Sequence, residues 1–326
     1  MWIISIIALL CWSGSDLFSK MGTKQTDKLS HYKVGIAVGL VMGIHALYEI
    51  TIGGVPFAFG DIITYLPASI LYIGSMLIGY MSLRYIELSI SSPICNCSGA
   101  VALIMSIAYF GVKWVEDDSD AIFLNGPIIF GVVMIVLGVV SLGFSEAFEN
   151  EETRAARQLK SNRKYSKSVL AILLPVLYCL IDALGTFVDT LIADGYCEKL
   201  TGIHPTMSGD EIDLLCGDIL NVAYEFTWAF MAIIFAIYVF GVKREKLDVK
   251  FDGIKTIGGI CETIGQVFYM MVVVSDYKIG LVIISAYCAV SFLWSAIFLK
   301  EKLSWKHYVS LALAFVGIII LGIYDV

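Results

Sequence analysis

The sequence predicts an all-α membrane protein, with ten transmembrane helices arranged as two inverted five-helix repeats. Three observations carry that expectation. Of the 326 residues, 58% are hydrophobic and only 16% charged, with a mean hydropathy of +0.83, whereas ordinary globular domains carry about 25% charge. A soluble core of this size would leave too little polar surface to cover it. Ten stretches are apolar for the roughly 20 residues that a helix needs to cross about 30 Å of hydrocarbon. One long charged tract, 146–167, divides them into five and five.

The predicted spans are 2–22, 33–52, 62–84, 88–110, 125–145, 168–192, 214–240, 253–275, 279–299 and 305–324. The first holds Ser, Gly and Asp and lacks the basic leader and small-x-small site of a cleaved signal peptide, so it is expected to remain as a helix. The second carries Gly35, Gly39 and Gly43 at four-residue intervals, a close-packing stripe. The third, fourth and sixth contain Pro67, Pro93 and Pro175, each removing a backbone hydrogen bond within its helix. Ten-residue alternating segments of the barrel type are absent, which leaves helices as the way to satisfy backbone groups in lipid.

Of the 22 Lys and Arg residues, all but Lys113, Lys199 and Lys278 fall in or beside alternate loops. The positive-inside tendency then places those loops in the cytosol and both termini outside, in a plasma (inner) membrane. The acidic loops EDDSD (116–120) and GDEIDLLCGD (209–218) fall on the opposite face. The expected organisation is a first repeat over 1–145, a connector over 146–167 and a second repeat over 168–326. EAFENEETRAARQLKSNRKYSK reads as a solvated connector with its basic residues near anionic headgroups. Cys197 and Cys216, in or beside the outer loop between helices 6 and 7, leave a disulfide and two free thiols equally open. Cys95 and Cys97 are too closely spaced to indicate a metal. The net charge of −7 lies mostly in loops and shows no nucleic-acid footprint.

Laying IIALLCWSGSDLFS (6–19) over ILLPVLYCLIDALG (172–185) pairs Trp12 with Tyr178 and Asp16 with Asp182. A second register pairs Gly74 with Gly265 and Cys97 with Cys288. An odd number of helices per half forces the second half to enter the membrane in the opposite sense, as in transporters whose substrate site lies between inverted repeats.

The opening ALLCWSGSDLFSKMG and the closing AIFLKEKLSWKHYVSLALAFVGIIILG resemble the first and last helices of the drug/metabolite transporter superfamily, in particular its EamA-like ten-helix members. Glu301 occupies the Glu of the Phe-Leu-x-Glu-x-Leu pattern that closes the ninth helix in that family. The first half departs from the pattern: AYFGVKWVEDD lacks the corresponding turn. The outward termini also invert the cytosolic placement usual in the family. The resemblance implies a secondary transporter working by alternating access.

A charge at a helix centre costs on the order of 3 kcal/mol on insertion scales, so each one marks a candidate site. The candidates for binding substrate or a proton are Asp182, Glu225, Asp16 and Glu262, with Tyr178 and Tyr224 because each lies within a turn of an acid. Asp16 has Lys20 one turn on, an i,i+4 pair that would neutralise it. Asp182 and Glu225 have no Lys or Arg within a turn, and Glu262 lies among glycines with Gln266 one turn away. Asp189 reads as an interfacial, solvated group, and Glu49 as an interfacial pair with His45 rather than a relay or metal site.

Acids without matching bases favour a small amine, cationic or zwitterionic, amino-acid-like substrate. Alternate occupancy of Asp182 by a proton and that substrate would couple the two. No nucleotide-binding stretch is visible, so no enzyme activity, cofactor or metal is expected. The expected partners are a small-molecule substrate and the lipid bilayer, with no nucleic acid; a homodimer is compatible with the sequence. A divalent-cation (Mg-like) carrier or channel on the same fold, and a membrane sensor or scaffold, are the alternatives.

Overall fold

The computed structural model describes residues 2–113, 122–123, 125–165, 168–274, 283–284 and 286–324. EDDSD (116–120), Lys278 and the start of the predicted ninth span lie outside them. The described chain is helical apart from one two-residue parallel pair, Val112–Lys113 with Ile122–Phe123. Its helices are α1 Trp2–Gly22, α2 Ser30–Tyr48, α3 Phe59–Ser82, α4 Leu88–Cys95, α5 Ser98–Phe110 and α6 Gly126–Phe148, then α7 Glu151–Arg157, α8 Val169–Ile203, α9 Gly209–Ala236, α10 Val249–Val274, α11 Tyr287–Trp294 and α12 Trp305–Tyr324. A π turn extends α2 (Glu49–Gly53), α9 (Ile237–Val242) and α11 (Ser295–Leu299). Counting α4 with α5 as one bent unit, eight are long and apolar enough to cross a membrane.

Local chemistry sets the boundaries, and the largest departures from the expected ones fall at the end of α8, the start of α9 and the middle of 88–110. Ser208 and Glu211 form a reciprocal cap that starts α9 at Gly209, while α8 continues to Ile203. The predicted outer loop between them therefore shrinks to a short turn, because two orphan backbone donors are satisfied earlier than hydropathy suggests. The predicted span 88–110 bends at Asn96 and Cys97, where Cys97 Sγ donates to the carbonyl of Pro93 at 3.1 Å. Asn125 caps α6 by accepting from the backbone N–H of Ile128 at 2.9 Å.

Packing joins the two halves of the chain. α1 lies along α10, α2 along α9, α3 along α8 and α6 along α12. The Gly35, Gly39 and Gly43 stripe permits the α2–α9 contact: a Cβ on Gly39 would strike the carbonyl oxygen of Trp228, and one on Gly43 would meet Ala229 at 2.8 Å. On α12, Gly317 sits against the carbonyl of Gly131, 2.6 Å from where a Cβ would fall. Such close approach gains the van der Waals contact that holds helices together in lipid, where burial supplies no drive.

The basic loops gather at one end of the bundle. Arg84 donates to the Gln25 carbonyl, Gln25 to that of Lys164, Arg163 to that of Met21 and Asn162 to that of Phe298, while Lys24 pairs with Asp248. The connector is consequently pinned, contrary to the expectation of a solvated tract. Arg157 on α7 reaches Glu87 at 2.6 Å, Glu149 at 2.9 Å and Glu146 at 3.1 Å, and Arg154 reaches Glu146 at 2.6 Å. All five side chains are buried. Hydropathy reads them as water-loving; the alternating charge that solvates a free segment also lets it neutralise itself against Glu87 at the head of α4.

Arg157→Ala leaves buried carboxylates uncompensated and is expected to lower stability by about 3–5 kcal/mol. Thermal unfolding in detergent checks this, with the exposed Lys160→Ala expected to be silent.

Candidate functional site

Asp16 of α1 and Asp182 of α8 sit part-way along their helices and are satisfied by hydroxyls. Asp16 Oδ2 accepts from Ser92 of α4 at 2.6 Å and from Ser291 of α11 at 2.8 Å. Asp182 Oδ1 accepts from Ser75 of α3 at 2.9 Å, and Ser98 of α5 is a second donor to it. Glu262 of α10 takes a hydrogen bond from Ser15 of α1 and lies within electrostatic range of both aspartates. Inside the bundle Glu262 thus feels the charge of two carboxylates from two other helices. No Lys or Arg among the described residues acts on any of them.

The expected Asp16–Lys20 pair does not form. Lys20 Nζ donates to the carbonyls of Leu83, at 2.8 Å, and Ile86, and lies 4.5 Å from the centre of the Tyr165 ring. Carbonyls at the end of α3 lack helical partners, and a buried ammonium satisfies them better than water at this depth. Asp16 is therefore left with neutral donors only. Glu301 closes the same end: it accepts from the backbone N–H of Leu88 at 3.2 Å and Ser89 at 3.0 Å and from the Ser89 hydroxyl at 2.8 Å. It thereby caps α4, the helix that carries Ser92.

Aromatic rings line the space between the acids. The Trp12 ring centre lies 5.0 Å from that of Tyr269, tilted by 38°, and 5.6 Å from that of Tyr287, which it meets edge-on. Gly265 lets the Trp12 indole approach its backbone, and Gly79 does the same for Tyr178, whose ring carbon lies 2.7 Å from a built Cβ. Tyr178 and Tyr287 lie within electrostatic range of Glu262, as do Tyr80 and Tyr224. Asp16, Asp182, Glu262, Tyr178 and Tyr224 are half-buried, each keeping some accessible surface. Two buried polar atoms there, the Tyr80 hydroxyl and Trp12 Nε1, have no hydrogen-bond partner among the described residues. Two surface cavities lie elsewhere: one of about 510 Å³ between the end of α6 and the start of α12, the other of about 400 Å³ where the α2–α3 loop meets α8 and α9.

Five of the six sequence candidates come together; Glu225 stands apart. Its carboxylate, with no exposed surface, binds His45 Nδ1 of α2 at 2.8 Å, and Asn221 is its other partner. Asp189 is also not a solvated group, since it accepts from Tyr65 at 2.6 Å and Tyr72 at 3.2 Å. The residues missing from the sequence reading are the serines, Ser75, Ser92, Ser98 and Ser291. A serine next to a proline in an apolar helix, as in Ser92–Pro93, was the available signal. Cys197 and Cys216 are free but adjacent, the thiols within hydrogen-bonding reach of each other.

The chain is similar, over 98% of its length, to a solved structure described only as the crystal structure of a protein. The likeness covers 95% of that chain, with a TM-score of 0.52 and 12% identity, and speaks to fold alone. No protein-family model matches the sequence, and neither does any curated protein.

Because Lys20 serves the α3–α4 turn and not Asp16, the coupling between Asp16→Asn and Lys20→Met is expected to stay below about 1 kcal/mol, well short of a buried ion pair. A double-mutant cycle on detergent-solubilised protein measures this, and a large favourable coupling would restore the ion pair.

Proposed function

We propose that the protein is a secondary transporter of the EamA-like type within the drug/metabolite transporter superfamily. It moves a small cationic or zwitterionic metabolite across the plasma membrane by alternating access, coupled to protons. The observation that carries this reading is that Glu262 lies in electrostatic range of both Asp16 and Asp182, with no Lys or Arg acting on any of the three. Tyrosines surround the acids, and Tyr80 and Trp12 offer unused donors. An ammonium fits such a site by charge and by ring faces.

The packing supports two inverted repeats of five helices. Exchanging α1 with α8, α2 with α9, α3 with α10, α4–α5 with α11, and α6 with α12 turns α1–α10 into α8–α3, α2–α10 into α9–α3 and α1–α11 into α8–α5, all of which are contacts of this bundle. The same exchange maps Trp12 over Gly265 onto Tyr178 over Gly79. It also maps the Ser291–Asp16 bond onto Ser98–Asp182. Gly79, rather than Gly74, is then the counterpart of Gly265. The clustering of the basic loops at one end favours that end in the cytosol and both termini outside.

A divalent-cation carrier is the weaker reading. Among the described residues only Glu146, Glu149 and His307 bring ligand atoms close enough to share an ion, and Arg154 and Arg157 already neutralise those acids.

In proteoliposomes, an imposed pH gradient is expected to drive uptake of a labelled monoamine or zwitterionic amino acid, and Asp182→Asn to abolish the coupling. Full coupling in Asp182→Asn, or flux of Mg²⁺ alone, would overturn the proposal.

A further inference from the structure

Glu225 is the candidate carboxylate that the central site does not use. It has 0% of its side chain exposed, yet it binds one nitrogen of a His45 ring whose other nitrogen, Nε2, lies 3.3 Å from Glu49 Oε1. Glu49 keeps 27% of its side-chain surface exposed. It opens the π turn that leads from α2 into the loop at the end of the bundle opposite the basic loops. An imidazole held between two carboxylates, one enclosed and one accessible, connects them through two different atoms. A metal would need both carboxylates on the same nitrogen's side of the ring.

We infer that Glu49, His45 and Glu225 form a proton relay from the outer surface to the interior. The reading that the protein is proton-coupled gives the relay its purpose, and the geometry stands without it. A proton taken up by the Glu49 carboxylate passes to Nε2 while the Nδ1 proton passes to Glu225. One O–H and one N–H bond break, one N–H and one O–H form, and the ring is left as the other neutral tautomer. Return of a proton or rotation of the ring resets it.

The surroundings suit this traffic. The charged groups facing the imidazole are Glu225 of α9 and Glu49 of its own π turn, and Asp218 of α9 stands behind Glu49. Of the other helices packed on α2, α3 carries Asp61 as its only acid and no base, and that acid is bound to Tyr196. α10 brings Gln266, whose amide donates to Asn221 at 3.2 Å. Asn221 is also a partner of Glu225, and Gln266 lies one turn from Glu262. A polar line therefore runs from the rim through Glu225 and Asn221 to Gln266, one helical turn short of Glu262.

The test is time-resolved infrared spectroscopy on the reconstituted protein after a rapid external acidification. The carbonyl stretch of protonated Glu225 is identified as the band missing in Glu225→Gln. Its appearance is expected to slow by about a hundredfold in His45→Gln and in Glu49→Gln, with the final amplitude retained. His45→Gln keeps a donor for Glu225, and Glu49→Gln changes a partly exposed position, so neither removes the buried contact that the fold needs. Wild-type rates in both variants, or no band that depends on Glu225, would overturn the relay. Neither result requires a substrate. A wild-type protein that moves no probe would overturn the transporter reading and leave the infrared result standing.

Discussion

A carboxylate inside a bundle this apolar persists only if its oxygens find donors. Ionic partners are scarce at that depth, so the donors here are hydroxyls. That constraint reaches well beyond the acids themselves. Ser92 and Ser291 meet at Asp16 only because α4 and α11 are brought beside α1. α4 in turn stays in place because Glu301 caps its first turn and Lys20 ties the preceding one. The solvation of a single aspartate thus fixes the mutual position of three helices.

Glycine makes the arrangement affordable in space. Along α2–α9 and α6–α12 the backbones nearly touch, and at Gly79 and Gly265 the same absence of a side chain admits a ring. One residue type therefore supplies both the seam between the halves and the seats of two aromatic rings beside the acids.

Much of this was legible in the sequence. Apolar run length located the helices, and alternating basic loops put the charged ends together. Mid-helix acids without neighbouring bases singled out Asp182 and Glu262, which the fold meets with serine hydroxyls. What escaped was governed by contacts across the chain. The i,i+4 spacing made Lys20 look like the partner of Asp16, but an α-helix places both on one face without deciding which neighbour the longer side chain prefers. Glu225 looked isolated because its partner, His45, comes from another helix. The bend at Cys97 and the length of α8 depend on turn and cap bonds that hydropathy does not see.

α8 has one more consequence. At about 1.5 Å per residue its 35 residues measure about 50 Å, far more than about 30 Å of hydrocarbon. Its N-terminus lies beside the basic loops, so the surplus turns, together with the start of α9, stand clear of the lipid at the other end. Asp194, Glu198, Asp210, Glu211 and Asp213 are exposed on that projection, against one Lys, Lys199, and one His, His204. That end of the molecule therefore carries a negatively charged projection. It enriches cations locally and depletes anions, and its influence shrinks as salt shortens the Debye length from about 10 Å at 0.1 M.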